Sequence, residues 1–116
     1  MKENKLLVLA QEFAVNIIDL ANSLKSKKEY SLSDQLKRSG TSICANIAEA
    51  NHPQSRADMI SKFEIALKEC NESEYWLELL YETNSISENE FNKMQSACIE
   101  LRRMLVSTVT TIKSKQ

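Results

Sequence analysis

Three cysteines and one histidine are the side chains of this 116-residue chain best suited to hold a metal or attack a substrate, and their spacing suits neither task. Cys44, Cys70 and Cys98 are widely separated, odd in number and without a CxxC pair, which fits reduced thiols in a cytoplasmic setting. Cys70 and Cys98 fall on apolar helical stripes and Cys44 borders one, so all three read as buried, inert thiols. His52 has no His-Glu or His-Cys constellation near it at ligand spacing and reads as a loop or cap residue. A Gly-rich phosphate loop is missing, and the many carboxylates do not form the Glu plus Glu-x-x-His pattern of a di-iron bundle. The expectation is no catalytic residue, no metal and no cofactor, with enzymatic activity ranked below binding.

A polar pattern is more informative. Gln35, Arg38, Ser42, Asn46 and Glu49 recur in steps of three and four, a stripe about one residue's rotation from an apolar one. Two readings compete. The stripe is either a solvated flank carrying an ordinary Asp34–Arg38 surface pair, or a polar seam facing another subunit or partner. In the second case its amides and charges would fix register, because unpaired groups there are costly. Basic residues gather elsewhere, at Lys37 and Arg38, Arg102 and Arg103, and Lys113 and Lys115. Of these, Lys37, Arg102, Arg103, Lys113 and Lys115 are candidate nucleic-acid contacts, set against the plainer reading of solvated faces that complement helix dipoles. Glu69, Glu72, Glu74, Glu78 and Glu82 form an acidic surface that would repel nucleic acid. Trp76 lies off the nearest apolar seam and reads as a core-edge anchor or an interface hot spot.

The elements that must position these groups are helices. One Gly and one Pro are too few for the turns of an all-β domain, while 42% hydrophobic and 27% charged residues suit one globular core. From Asn4 to about Ser26, Leu6, Leu9, Ala10, Phe13, Ile17, Leu20 and Leu24 line one face, and Leu7, Val8, Val15 and Ile18 widen it beyond a single stripe. Ser31 or Ser33 can cap a second helix bearing Leu36, Gly40, Ile43, Ile47 and Ala50, where Gly40 either permits close approach or is a weak point. Pro53 closes that segment. Ser55 and Asp58 open a third helix with its seam at Met59, Phe63, Ala66, Cys70, Ser73, Leu77 and Leu80. Ser87 and Glu90 form a capping box for a fourth, with Phe91, Met94, Cys98, Leu101, Leu105, Thr108 and Ile112 as its seam. Short connections make neighbours antiparallel, so the predicted fold is an all-α, up-down-up-down four-helix bundle spanning residues 1–116 as one domain, with Phe63, Cys70, Leu77, Phe91, Cys98 and Leu101 buried together. The net charge of −1 lacks the basic excess of a dedicated nucleic-acid binder. Gln11 and Glu12 interrupt the first apolar run before a signal sequence can form, and no stretch is expected to span a bilayer.

Taken together, Tyr30-x-Leu32-x-x-Gln35-x-x-Arg38, then Ser42-Ile43-x-x-Asn46-Ile47-Ala48-Glu49, then Ser55 to Met59 with Ala66, Glu72, Glu74 and Leu77, resemble the 23S rRNA intervening-sequence proteins. The likeness runs from the first helix to the C-terminus. Many members have Gly where this chain has Ala50, and a basic loop where it has Asn51-His52-Pro53-Gln54. The resemblance implies a bacterial four-helix subunit that assembles as a homopentamer. A similar bundle, the accessory variability protein of diversity-generating retroelements, binds a reverse transcriptase and nucleic acid. The acidic balance here ranks a self-associating, partner-binding scaffold first and an accessory protein acting with RNA or a reverse transcriptase second.

Overall fold

Three of the four helices begin at a side chain that caps the first turn. The Asn4 side chain accepts from the Leu7 N–H at 3.1 Å, Ser55 Oγ accepts from the Asp58 N–H at 3.0 Å, and Ser87 and Glu90 close a reciprocal capping box. In the computed structural model, which describes residues 4–115, these caps open α1 (Lys5–Ser26), α3 (Arg56–Glu82) and α4 (Glu88–Ser114). The Asp58 carboxylate accepts from the Gln54 N–H at 3.1 Å rather than from the Ser55 N–H, so the reciprocal half of a capping box is not made. The helix α2 (Ser31–Ala50) departs from expectation: its N-cap is Tyr30, which provides no side-chain cap. Ser33 lies inside the helix, buried, and donates to the Ala21 carbonyl of α1 at 2.7 Å. Tertiary bonding has taken the hydroxyl that the sequence pattern assigned to capping.

Two of the three connections are tight helix stops. Lys28 and Asn84 adopt left-handed backbone (φ 67° and 58°), letting the Glu29 N–H return to Leu24 O and the Ser85 N–H to Leu80 O. Asn tolerates this conformation better than Lys does.

The chain then folds back on itself. Ile17 meets Gly40 and Ala21 meets Ser33, Arg38 meets Glu72 while Glu49 meets Lys62, and Glu74 meets Arg102 while Glu64 meets Lys113; each series runs in opposite directions along the two helices. The α1–α4 seam closes the ring and is the most sparsely packed of the four, and the backbones of the diagonal helices stay apart. The result is an antiparallel four-helix bundle of 48 × 25 × 22 Å, without strands among the described residues.

Its interior contains Phe13 and Ile17 of α1, Leu36, Ile43 and Ile47 of α2, Cys70 and Leu77 of α3, and Cys98 and Leu101 of α4. Gly40 is needed for close approach: a Cβ there would lie 2.7 Å from Ile17 Cγ2. The expected seam holds with local corrections. Phe91 is half-buried and stacks on Tyr81, with centroids 4.5 Å apart, instead of entering the core. Near the end of α4, Val109 is buried while Thr108 and Ile112 are half-buried. A straight helix drifts relative to a seven-residue repeat, so the seam slips by one residue.

One expectation about membranes needs correction. α1 is long and apolar enough to cross a bilayer by length and composition, with a mean hydropathy of 1.2 over 18 residues. Here it forms one wall of the bundle, burying Leu6, Ala10, Phe13, Ala14, Ile17, Leu20, Ala21 and Leu24.

Candidate functional site

The polar stripe on α2 points along the α2–α3 seam. Arg38 reaches across to α3 and donates to Glu69 at 3.1 Å and to Glu72, while Trp76 Nε1 donates to Glu72 at 3.2 Å. Burial alone would push the Glu72 carboxyl up, but the hydrogen bonds from Arg38 and Trp76 hold it below its ordinary value. The same bond to Glu72 raises Arg38. Further along, Ser42 Oγ donates to the Arg38 carbonyl at 2.7 Å, Asn46 Nδ2 donates to the Ser42 carbonyl at 2.8 Å, and Glu49 pairs with Lys62 of α3 at 3.3 Å. Gln35 is exposed. The expected Asp34–Arg38 pair is absent, because Asp34 pairs with Lys25 of α1 at 2.9 Å and Arg38 faces the other neighbour.

Beneath this network lies a contact that the sequence reading did not assign. Ser73 Oγ donates to Ser39 Oγ at 2.8 Å, and both side chains are buried. Both serines occupy inward positions of apolar stripes, which is the available sequence signal, but their pairing depends on the register between α2 and α3. Every buried side-chain N or O atom among the described residues has a partner.

The candidate nucleic-acid contacts do not gather into one patch. Lys37 is on α2, diagonal to α4, whereas Arg102, Arg103, Lys113 and Lys115 belong to α4 or its end. Arg102 pairs with Glu74, and Lys113 pairs with Glu64 at 2.9 Å. Arg103 and Lys115 are exposed and form no ion pair among the described residues. The acidic row on α3 is likewise divided: Glu69, Glu72 and Glu74 are paired, leaving Glu78 and Glu82 facing solvent.

α1 presents a different surface. Val8 and Val15, 37% and 57% exposed, point away from the bundle, with Leu7, Leu9 and Ile18 half-buried around them. Gln11, Glu12 and Asn16 join the two valines around a shallow concavity. His52 is exposed beyond α2, and Cys44 is half-buried, its thiol pushed up by burial. The described residues contain no cluster of His, Cys, Asp and Glu able to hold a metal ion.

The features define a class: a four-helix bundle whose polar side chains lock helices together and which exposes large apolar side chains on several helices, Val8 and Val15 on α1, Ile65 and Tyr75 on α3 and Val106 on α4. The chain belongs to the family described as 23S rRNA-intervening sequence protein, whose sequence profile matches residues 2–107. It is also similar to the crystal structure of a protein of unknown function from the S23 ribosomal protein family of Bacteroides thetaiotaomicron VPI-5482. That structure is 46% identical, with a TM-score of 0.88 over 90% of this chain and 97% of the other. No curated protein matches.

Proposed function

We propose that the chain is a non-enzymatic helical scaffold in a bacterial cytoplasm that associates with copies of itself through the outer face of α1. Val8 and Val15 carry the reading: both are exposed on a helix that already fills its share of the core. A bundle has one interior, so a second apolar surface on α1 gains from burial only against another molecule. The described residues hold no cluster of metal-ligating side chains, and the exposed valines offer a surface for binding. A homopentamer is the assembly proposed, with the α2 stripe acting chiefly inside each subunit because Arg38 and Glu49 already have partners on α3.

The test is sedimentation equilibrium at tens of micromolar. A single discrete oligomer is expected, and a strictly monomeric protein would overturn the reading. The second reading, an accessory protein that acts with RNA or a reverse transcriptase, draws on exposed Arg103 and Lys115. It predicts binding to structured RNA that weakens steeply as salt rises, since protein cations displace condensed counterions.

A further inference from the structure

The core contains two thiols that meet across the α3–α4 hairpin. Cys70 Sγ and Cys98 Sγ are 3.4 Å apart, both are free, and both are 0% exposed. Each also lies 3.2 Å from the other's backbone carbonyl, so the two helices approach closely at this level. A disulfide needs the sulfurs at ~2.0 Å, so closure requires about 1.4 Å of relative movement. One turn further along each helix, Glu74 and Arg102 form the half-buried ion pair between α3 and α4. Cys44, on α2, is not part of this pair.

We infer that Cys70 and Cys98 form an oxidisable dithiol, a modification site that a small peroxide converts to an interhelical disulfide joining α3 to α4. The Cys70 thiolate attacks one oxygen of hydrogen peroxide; the O–O bond breaks, and hydroxide leaves with the proton lost from Cys70 as water. Cys98 Sγ then attacks the resulting sulfenic sulfur, the S–O bond breaks, and the departing hydroxide takes the Cys98 proton as a second water. Two thiols have lost two electrons, and one peroxide has become two waters. The order of attack follows the shared contact. A hydrogen bond from Cys98 lowers the Cys70 thiol, while the contact with Cys70, together with burial, pushes Cys98 far up. Peroxide is close to water in size, whereas burial shields the pair from bulky disulfides.

The crosslink would tie the two longest helices at mid-bundle, making this hairpin harder to open. The experiment treats the folded full-length chain with hydrogen peroxide, alkylates remaining thiols in denaturant and maps unreduced tryptic peptides by mass spectrometry. Peptides 69–93 and 94–102 separate the two cysteines from each other and from Cys44. The expected product is these peptides joined, two hydrogens lighter than their sum, with Cys44 still alkylated and one peroxide consumed per crosslink. The oxidised protein should also unfold at a higher temperature than the reduced one. Recovery of Cys70 and Cys98 as separately alkylated peptides overturns the inference, as does a crosslink that appears only when oxidation is done in denaturant. In a Cys44→Ser variant the joined peptide should persist; its loss would show that Cys44 supplies the oxidisable thiol.

Discussion

Arg38 illustrates how much a residue's role depends on its neighbour. Its place in the stripe was legible in the sequence, yet Asp34, four residues away, is not its partner; Glu69 and Glu72, more than thirty positions on, are. Sequence periodicity gives the face of one helix, but two helices must be placed in register before a cross-helix pair can be named. Because Glu72 is held below the ordinary glutamate value of about 4.5, the folded state binds its proton less readily than the unfolded chain does. Its contribution to stability is therefore present above that value and is lost as pH falls through the lower folded value. Chemical denaturation of wild type and Glu72→Gln at pH 7 and at pH 3 should show the wild type losing more stability on acidification. Equal losses in the two proteins would mean that the network does not favour the charged form of Glu72.

At the scale of elements, the periodic stripes marked all four helices, and the caps at Asn4, Ser55 and Ser87 fall close to the expected starts. The start of α2 was less legible, since both serines near it are good caps in principle and one is recruited by the Ala21 carbonyl. Gly40 was ambiguous for a related reason: a glycine in a helical stripe looks the same whether space or mere tolerance explains it. With Ile17 Cγ2 only 2.7 Å from where a Cβ would stand, Gly40→Ala should destabilise the protein by about 1–3 kcal/mol through overpacking, before the gain of about 1 kcal/mol in helix propensity. A thermal melt with the midpoint raised would show that α1 and α2 can separate cheaply. Leu77→Ala, at a site with no exposed surface, should cost about 2–5 kcal/mol by lost burial and a residual cavity, measured by urea unfolding.

For the whole molecule, the deciding feature is an imbalance among helices. α1 carries more apolar side chains than the interior takes in, and the excess was visible in its sequence as Leu7, Val8, Val15 and Ile18. How that excess divides was not, because half-burial of Leu7 and Ile18 depends on how the neighbouring helices pack around α1, while Val8 and Val15 face outward. Arg102 and Lys113 join helices within the subunit, while Val8 and Val15 stand two turns apart on one outer face of α1, the spacing that lets a single second copy cover both. Replacing both valines by glutamate would put two charges into any interface formed there, while adding no buried charge to the isolated bundle. Val8→Glu with Val15→Glu should therefore leave helical content and the unfolding midpoint of the dissociated subunit nearly unchanged, yet weaken assembly at least tenfold, about 1.4 kcal/mol. Arg103→Glu, exposed on α4, should leave assembly within a factor of about two. Light scattering across a dilution series makes the comparison. A double variant that assembles as tightly as wild type would move the interface off α1, and equal weakening by Arg103→Glu would point to a general charge effect in place of a defined surface.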